Sequence, residues 1–224
     1  MASVVDICNE ALSYLGDSAT VSSIDPPEGS AQAEHCARFY PSTLSALTEM
    51  HNWAFATRRV ALAQLPSTSS AWQYTYAQPS NCLNIFAVIA PDASNDNSTA
   101  TASQGYASPY FENASVGGTY TPQQFVTETD TDGTEIILTN QANAVLRYIQ
   151  LVTDTSKFSA LFRETLTWML SSKLAGPVLK GEMGRKVSAD CMRTAMAWYK
   201  LAIDSDASQQ RVDPQQHVSW MNAR

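Results

Sequence analysis

Apolar positions recur at helical spacing near both ends of the chain and at strand-like spacing between them. In residues 3–15, SVVDICNEALSYL, the side chains of Val4, Cys8, Ala11, Leu12 and Leu15 fall on one face, the stripe of an amphipathic helix. Ser3 precedes it as N-cap, Asp6 stands in the first turn where a carboxylate complements the helix dipole, and Gly16 takes the left-handed position past its end. A second helix is predicted from the N-cap Ser30 to Met50, with Ala33, Cys36, Tyr40, Leu44, Leu47 and Met50 on its stripe. Pro41 lies inside it, so a kink or break is expected near Tyr40. In the C-terminal third, Thr155 or Ser156 is expected to cap a run holding Phe158, Leu161, Phe162, Thr165, Trp168 and Met169, which Gly176-Pro177 kinks or ends. Gly181 and Gly184 mark a turn, and a further stripe with Val187, Cys191, Ala195, Trp198, Tyr199 and Ala202 runs from Arg185 to about Ile203. Two long antiparallel helices are implied.

The pattern between these helices is different. Residues 17–30 form a loop punctuated by Pro26, Pro27 and Gly29, with Ile24 as its expected anchor. After Met50, Trp53 and Phe55 alternate with Asn52, Ala54 and Ala56 before Arg58 and Arg59, which reads as a helix passing into an extended segment with two aromatics buried at the junction. Strands are predicted in ATRRVALAQL, AWQYTYAQP, YASPYFE, TYTPQQFVTET, TEIILTN and NAVLRYIQLV, and CLNIFAVIA (82–90), the most apolar run, is expected to be central. Residues 91–105 are small and polar and read as an exposed loop. In TETDTDGTEI, the acidic residues resemble the start of a calcium loop, but the twelfth position from Glu128 is Thr139 rather than a carboxylate. An Asp-Gly turn between two β-rich runs is the better reading. The fold class is therefore α+β, mainly α: a helical bundle from residues 1–57 and 153–206, an inserted antiparallel β-rich region at 58–152 and an extended C-terminal arm at 207–224.

The 224 residues suffice for one or two cores without a structural metal or disulfide. A formal net charge of -7 excludes a protein that grips nucleic acid over a broad surface, because phosphate neutralisation needs clustered Lys and Arg. An acidic surface instead lets DNA slide past without sticking. Cys8, Cys36, Cys82 and Cys191 form no CxxC pair and read as buried free thiols. No basic region followed by a long apolar one opens the chain, so a reducing cytoplasm is expected, and the sequons at Asn97 and Asn113 carry no weight.

Chemistry-bearing motifs are scarce. His35, His51 and His217 lack metal-ligand or triad spacing and read as structural. The glycines of LKGEMGRK (179–186) follow a helix rather than a strand, so a helix–helix turn accounts for them better than a phosphate loop. Glu10, Glu34, Glu49 and Glu164 could supply carboxylate pairs for glycoside hydrolysis, as could many residues of any acidic chain. No catalytic residue, cofactor site or metal site is assigned. Arg58 and Arg59 are candidates for salt bridges or a partner subunit. The tail ends in HVSWMNAR, whose Val218, Trp220 and Met221 cannot build a core of their own and read as an anchor for a partner.

The stretches ICNEALSYLG (7–16), AQAEHCARFYPSTLSALTEMHNWAFATRRVALAQL (31–65), WQYTYAQPSNCLNIFAV (72–88) and SWMNAR (219–224) together resemble the head-to-tail adaptor family of tailed phages, which includes the tail tubular protein A of short-tailed phages. NWAFATRR followed by the WQYTYAQP strand is the most specific part. The resemblance implies a non-enzymatic virion protein, assembled in the host cytoplasm as a dodecameric ring between the capsid portal protein and the tail nozzle protein, through which DNA passes without specific binding. It implies no membrane contact. Portal docking would fall to the arm, at Val218, Trp220, Met221 and Arg224, and intersubunit contacts to Arg58 and Arg59. Two other classes compete: a cell-wall glycoside hydrolase, which needs two convergent carboxylates in a cleft, and a small soluble binding protein using the helical pair as its surface.

Overall fold

The computed structural model describes residues 3–18, 20–67, 70–91 and 123–209. Four α-helices and seven strands are found there: α1 Val4–Ser13, α2 Ala31–Glu49, α3 Ala160–Leu179, α4 Gly181–Ala207, β1 Thr57–Ala61, β2 Gln64–Leu65, β3 Tyr74–Ala77, β4 Cys82–Ile89, β5 Phe125–Thr129, β6 Glu135–Thr139 and β7 Val145–Gln150. With all strand pairs antiparallel, the fold is α+β and mainly α. The chain divides into a helical unit, Met1–Ala56 with Leu151–Gln210, and a β-rich unit within Thr57–Gln150.

In the helical unit α3 is the central element and contacts α1, α2 and α4. Its sequence explains this: Phe162, Leu166, Met169, Leu170 and Leu174 are buried together with Thr165, Thr167, Ser171 and Ser172. Apolar and small hydroxyl residues thus occupy most of its circumference, and the hydroxyls bond backbone carbonyls within the helix or, for Ser171, also the Ala11 carbonyl of α1 at 3.0 Å. Ser3 and Asp6 close a reciprocal capping box on α1, and Ser30 caps α2. The thiols of Cys8, Cys36 and Cys191 are free and buried, and Cys82 is half-buried.

Several local expectations are corrected. α2 runs unbroken through Pro41, which stands on its exposed side, where water can satisfy the carbonyl that loses its N–H partner. α3 likewise continues through Pro177 to Leu179, two residues from its end. Its N-cap is Ser159, whose hydroxyl accepts from the Phe162 amide; Thr155–Lys157 instead form a separate 3-10 turn capped by Asp154. The loop after α1 is anchored by buried Val21 rather than Ile24, because the Asn9 side chain bonds both the Val21 N–H at 2.7 Å and its carbonyl at 2.9 Å.

The turn between α3 and α4 contracts to Lys180, at φ 54, and α4 begins at Gly181 rather than Arg185. Gly184 is therefore helical, and its role is close packing: a Cβ there would lie 2.9 Å from the Ala175 carbonyl oxygen of α3. Gly184→Ala is expected to cost about 1–3 kcal/mol through overpacking. Gly176→Ala, where a Cβ meets nothing within 4 Å, should stabilise the helix by up to about 1 kcal/mol. Urea titrations of the two variants read this directly, and equal midpoints would count against a helix contact at Gly184.

The β-rich unit contains sheets ordered β1-β7-β4 and β2-β3-β6-β5. Tyr76, Val88, Ile137, Ala144, Leu146 and Tyr148 form its core, and the Tyr76 hydroxyl donates to the Gln141 carbonyl at 2.9 Å. β7, not β4, is the central strand of its sheet among the described residues. β4 pairs on that side only through β7, with register shifts at Cys82/Asn84 and Ile85/Ala87 that break a regular ladder. Asp130–Gly133 turn β5 into β6, with Gly133 at φ 80, and Thr139 is a buried strand residue opposite Phe125. That is the hairpin expected from Asp-Gly. YASPYFE, most of the 91–105 loop and the arm from 210 onward lie outside the described residues.

Candidate partner-binding interface

The arm residues Val218, Trp220, Met221 and Arg224 lie outside the described residues, as does His217. Arg58 and Arg59 stand on β1, both exposed. Because successive strand residues point to opposite faces, the two guanidiniums do not form one patch. Arg58 lies opposite Tyr148 and Arg59 opposite Arg147 in the β1–β7 register. Tyr148 is buried, which pushes its phenol pKa up, and Cys82 adds to this while Arg58 opposes it. On the other face two like charges meet, and the Arg147 guanidinium sits over the Phe86 ring at 5.5 Å, a cation–π contact that offsets the repulsion. A partner laid on one face of this sheet would therefore engage one of the two arginines, not the pair.

The aromatic junction belongs entirely to the helical unit. Trp53 is 1% exposed, its indole N–H donates to the Leu47 carbonyl at 3.0 Å, and its ring meets Phe162 edge-to-face at 4.9 Å. Phe55 packs on Phe158 and Phe162. Beside them is a group that the sequence reading missed. Asp206, near the end of α4 and 7% exposed, accepts from the Ala54 amide at 3.1 and 3.2 Å, and its Oδ2 lies 3.3 Å from His51 Nε2. Asp206 falls on the buried stripe of α4, eleven residues after Ala195 and four after Ala202. A carboxylate on an apolar stripe was the available signal. Tyr199 adds a bond from its hydroxyl to the Met50 carbonyl at 2.6 Å, so α4 is tied twice to the chain just after α2.

Of the four glutamates considered for hydrolysis, Glu10 and Glu164 come together, whereas Glu34 and Glu49 are exposed elsewhere on α2. The Tyr14 hydroxyl stands between Glu10 at 3.1 Å and Glu164 at 3.3 Å, and its ring stacks on Trp168 at 4.1 Å. Burial first, then the two carboxylates, push the phenol pKa up, so it stays protonated between them. A groove of about 440 Å³ opens elsewhere in the same unit, lined by Phe39, Lys173, Gly176, Arg185, Ser188 and Met192, with no carboxylate among its lining. Among the described residues no group of three His, Cys, Asp or Glu side chains is placed to hold a metal ion, and no helix is long and apolar enough to cross a membrane.

These features define an α+β protein with a helical unit built from segments on either side of the β-rich region and candidate interaction surfaces on each unit. Comparison with known protein families and with characterised proteins finds no match.

Proposed function

We propose that this chain is a structural head-to-tail adaptor subunit of a tailed-phage virion, forming a dodecameric ring between the portal protein and the tail nozzle protein, with a channel through which DNA passes without specific binding. The observation that carries the reading is the position of the aromatic junction. Trp53, buried, and Phe55, half-buried, come from the stretch most specific to the adaptor resemblance and pack together on Phe162 in the helical unit. At 1.5 Å rise per residue, the 27 residues of α4 span about 40 Å. The acidic balance of the chain supports a lumen that does not retain DNA. The apolar residues of the arm support docking on a neighbouring ring, with Trp220 as the buried anchor.

Sedimentation and electron microscopy of the purified full chain, alone and mixed with portal, test this. The expected result is a ring that binds portal, and loss of portal binding with retained fold when residues 213–224 are deleted. A chain that stays monomeric at every concentration and with portal present sinks the adaptor reading. Portal capture undiminished by the deletion removes the arm as docking element.

A further inference from the structure

The groove on the helical unit and the β5–β6 hairpin of the β-rich unit carry opposite charge. In the groove, Phe39 and Met192 supply apolar surface, and Lys173 and Arg185 supply two cations. Lys173 donates to the Ser42 hydroxyl at 3.3 Å, and partial burial draws its pKa down. Among the described residues neither cation has a carboxylate partner. That is notable in a chain of net charge -7, where acids outnumber bases.

The hairpin offers the complement. β5 is an edge strand of its sheet among the described residues. Phe125 packs on the core, so Val126 and Glu128, two residues apart, share the other face, where their β6 partners Leu138 and Ile136 are buried and β5 alone is exposed along its edge. Val126 is 40% exposed. Asp130 is engaged by the Thr131 amide, but Glu128 and the exposed Asp132 have no cationic partner among the described residues. One protruding edge thus presents an apolar side chain followed by two unneutralised carboxylates.

We propose that the exposed β5 edge and turn of the β5–β6 hairpin of one copy dock in the α2–α3–α4 groove of a second copy, with Glu128 and Asp132 against Lys173 and Arg185 and Val126 on the apolar floor. This rests on the ring reading and assigns the surfaces that join neighbours. The two surfaces differ, so the contact is heterologous and each copy keeps one free groove and one free hairpin, the condition for a closed ring rather than a two-fold dimer. Charge pairs at such a contact set register and reject wrong partners more than they add affinity, so reversing one side acts chiefly by repulsion.

A charge swap tests it with the full chain. The groove variant Lys173→Glu/Arg185→Glu and the hairpin variant Glu128→Lys/Asp132→Lys are each expected to lose ring assembly at least tenfold at moderate salt. A 1:1 mixture restores it, because each reversed groove then meets a reversed hairpin, in rings of alternating copies. Circular dichroism and urea unfolding check that each variant is folded, and Arg185→Glu alone replaces the double groove variant if that one is not. Wild-type rings together with undiminished assembly of either folded variant overturn the hairpin–groove contact and leave the ring reading standing, with another surface as neighbour contact. Loss of assembly that mixing does not rescue overturns it equally. A wild-type chain that forms no ring overturns both.

Discussion

Replacing Trp53 with alanine is expected to lower the unfolding free energy by about 3–5 kcal/mol, the range for emptying a buried aromatic site. Trp53 is almost wholly buried and touches Phe162 and His51 at ring-centroid distances of 4.9 and 4.8 Å. It joins the end of α2 to α3 and cannot be replaced by collapse, since Phe55, Phe158 and Phe162 already pack against one another. Phenylalanine at 53 should lose less, about 1–2 kcal/mol, because the ring stays and only the indole bond to Leu47 and part of the volume go. Urea denaturation followed by circular dichroism gives both values. An alanine variant within 1 kcal/mol of the parent would mean that this cluster is not the centre of the helical unit. In a domain of ordinary stability, a loss of this size leaves a large unfolded fraction near growth temperature, so the variant should also fail to assemble.

The second large effect is expected at Asp206. Alanine there leaves the Ala54 N–H without its acceptor and His51 without its carboxylate, in a site that is nearly closed to water. The expected cost is about 3 kcal/mol, from losing a bond to a charged acceptor and stranding a buried donor. Asparagine keeps one acceptor oxygen for the Ala54 amide and should cost about 1 kcal/mol. If both variants unfold at the parent's midpoint, the tie between α4 and the chain after α2 contributes nothing to stability. A structural consequence follows for the arm. Asp206 sits one residue before the last residue of α4, so loosening it frays the helix end; on the proposed adaptor reading, portal binding is then expected to weaken in parallel with the fold.

Much of the fold was legible in the chain because helices and strands impose different periods on apolar residues. The stripes of α1 and α2, the serine caps at Ser3 and Ser30, the left-handed Gly16 and the Asp-Gly hairpin are all local devices, decided within a few residues, and they are found where the pattern puts them, except that Met50, the last residue of the α2 stripe, is exposed past the helix end. Proline and glycine misled where tertiary packing overrode their local cost. Pro41 and Pro177 interrupt neither helix, and Gly184 serves the approach of α4 to α3 rather than a turn. The candidate interfaces were less legible still. That Arg58 and Arg59 face opposite sides of a sheet follows from strand geometry once β1 is placed, yet their neighbours Tyr148 and Arg147 are about ninety residues away in sequence.

By itself, then, the order of amino acids determined which of the described segments are helical or extended, where the first two helices start, and that the chain is acidic and poor in catalytic motifs. These depend on side-chain spacing and short-range backbone bonding. Only the tertiary structure decided that α3 is central, that Asp206 closes on Ala54 and His51 across about 150 residues of chain, and that Lys173 and Arg185 share one groove. Burial and the pairing of distant charges depend on which elements meet, and no local pattern encodes that meeting.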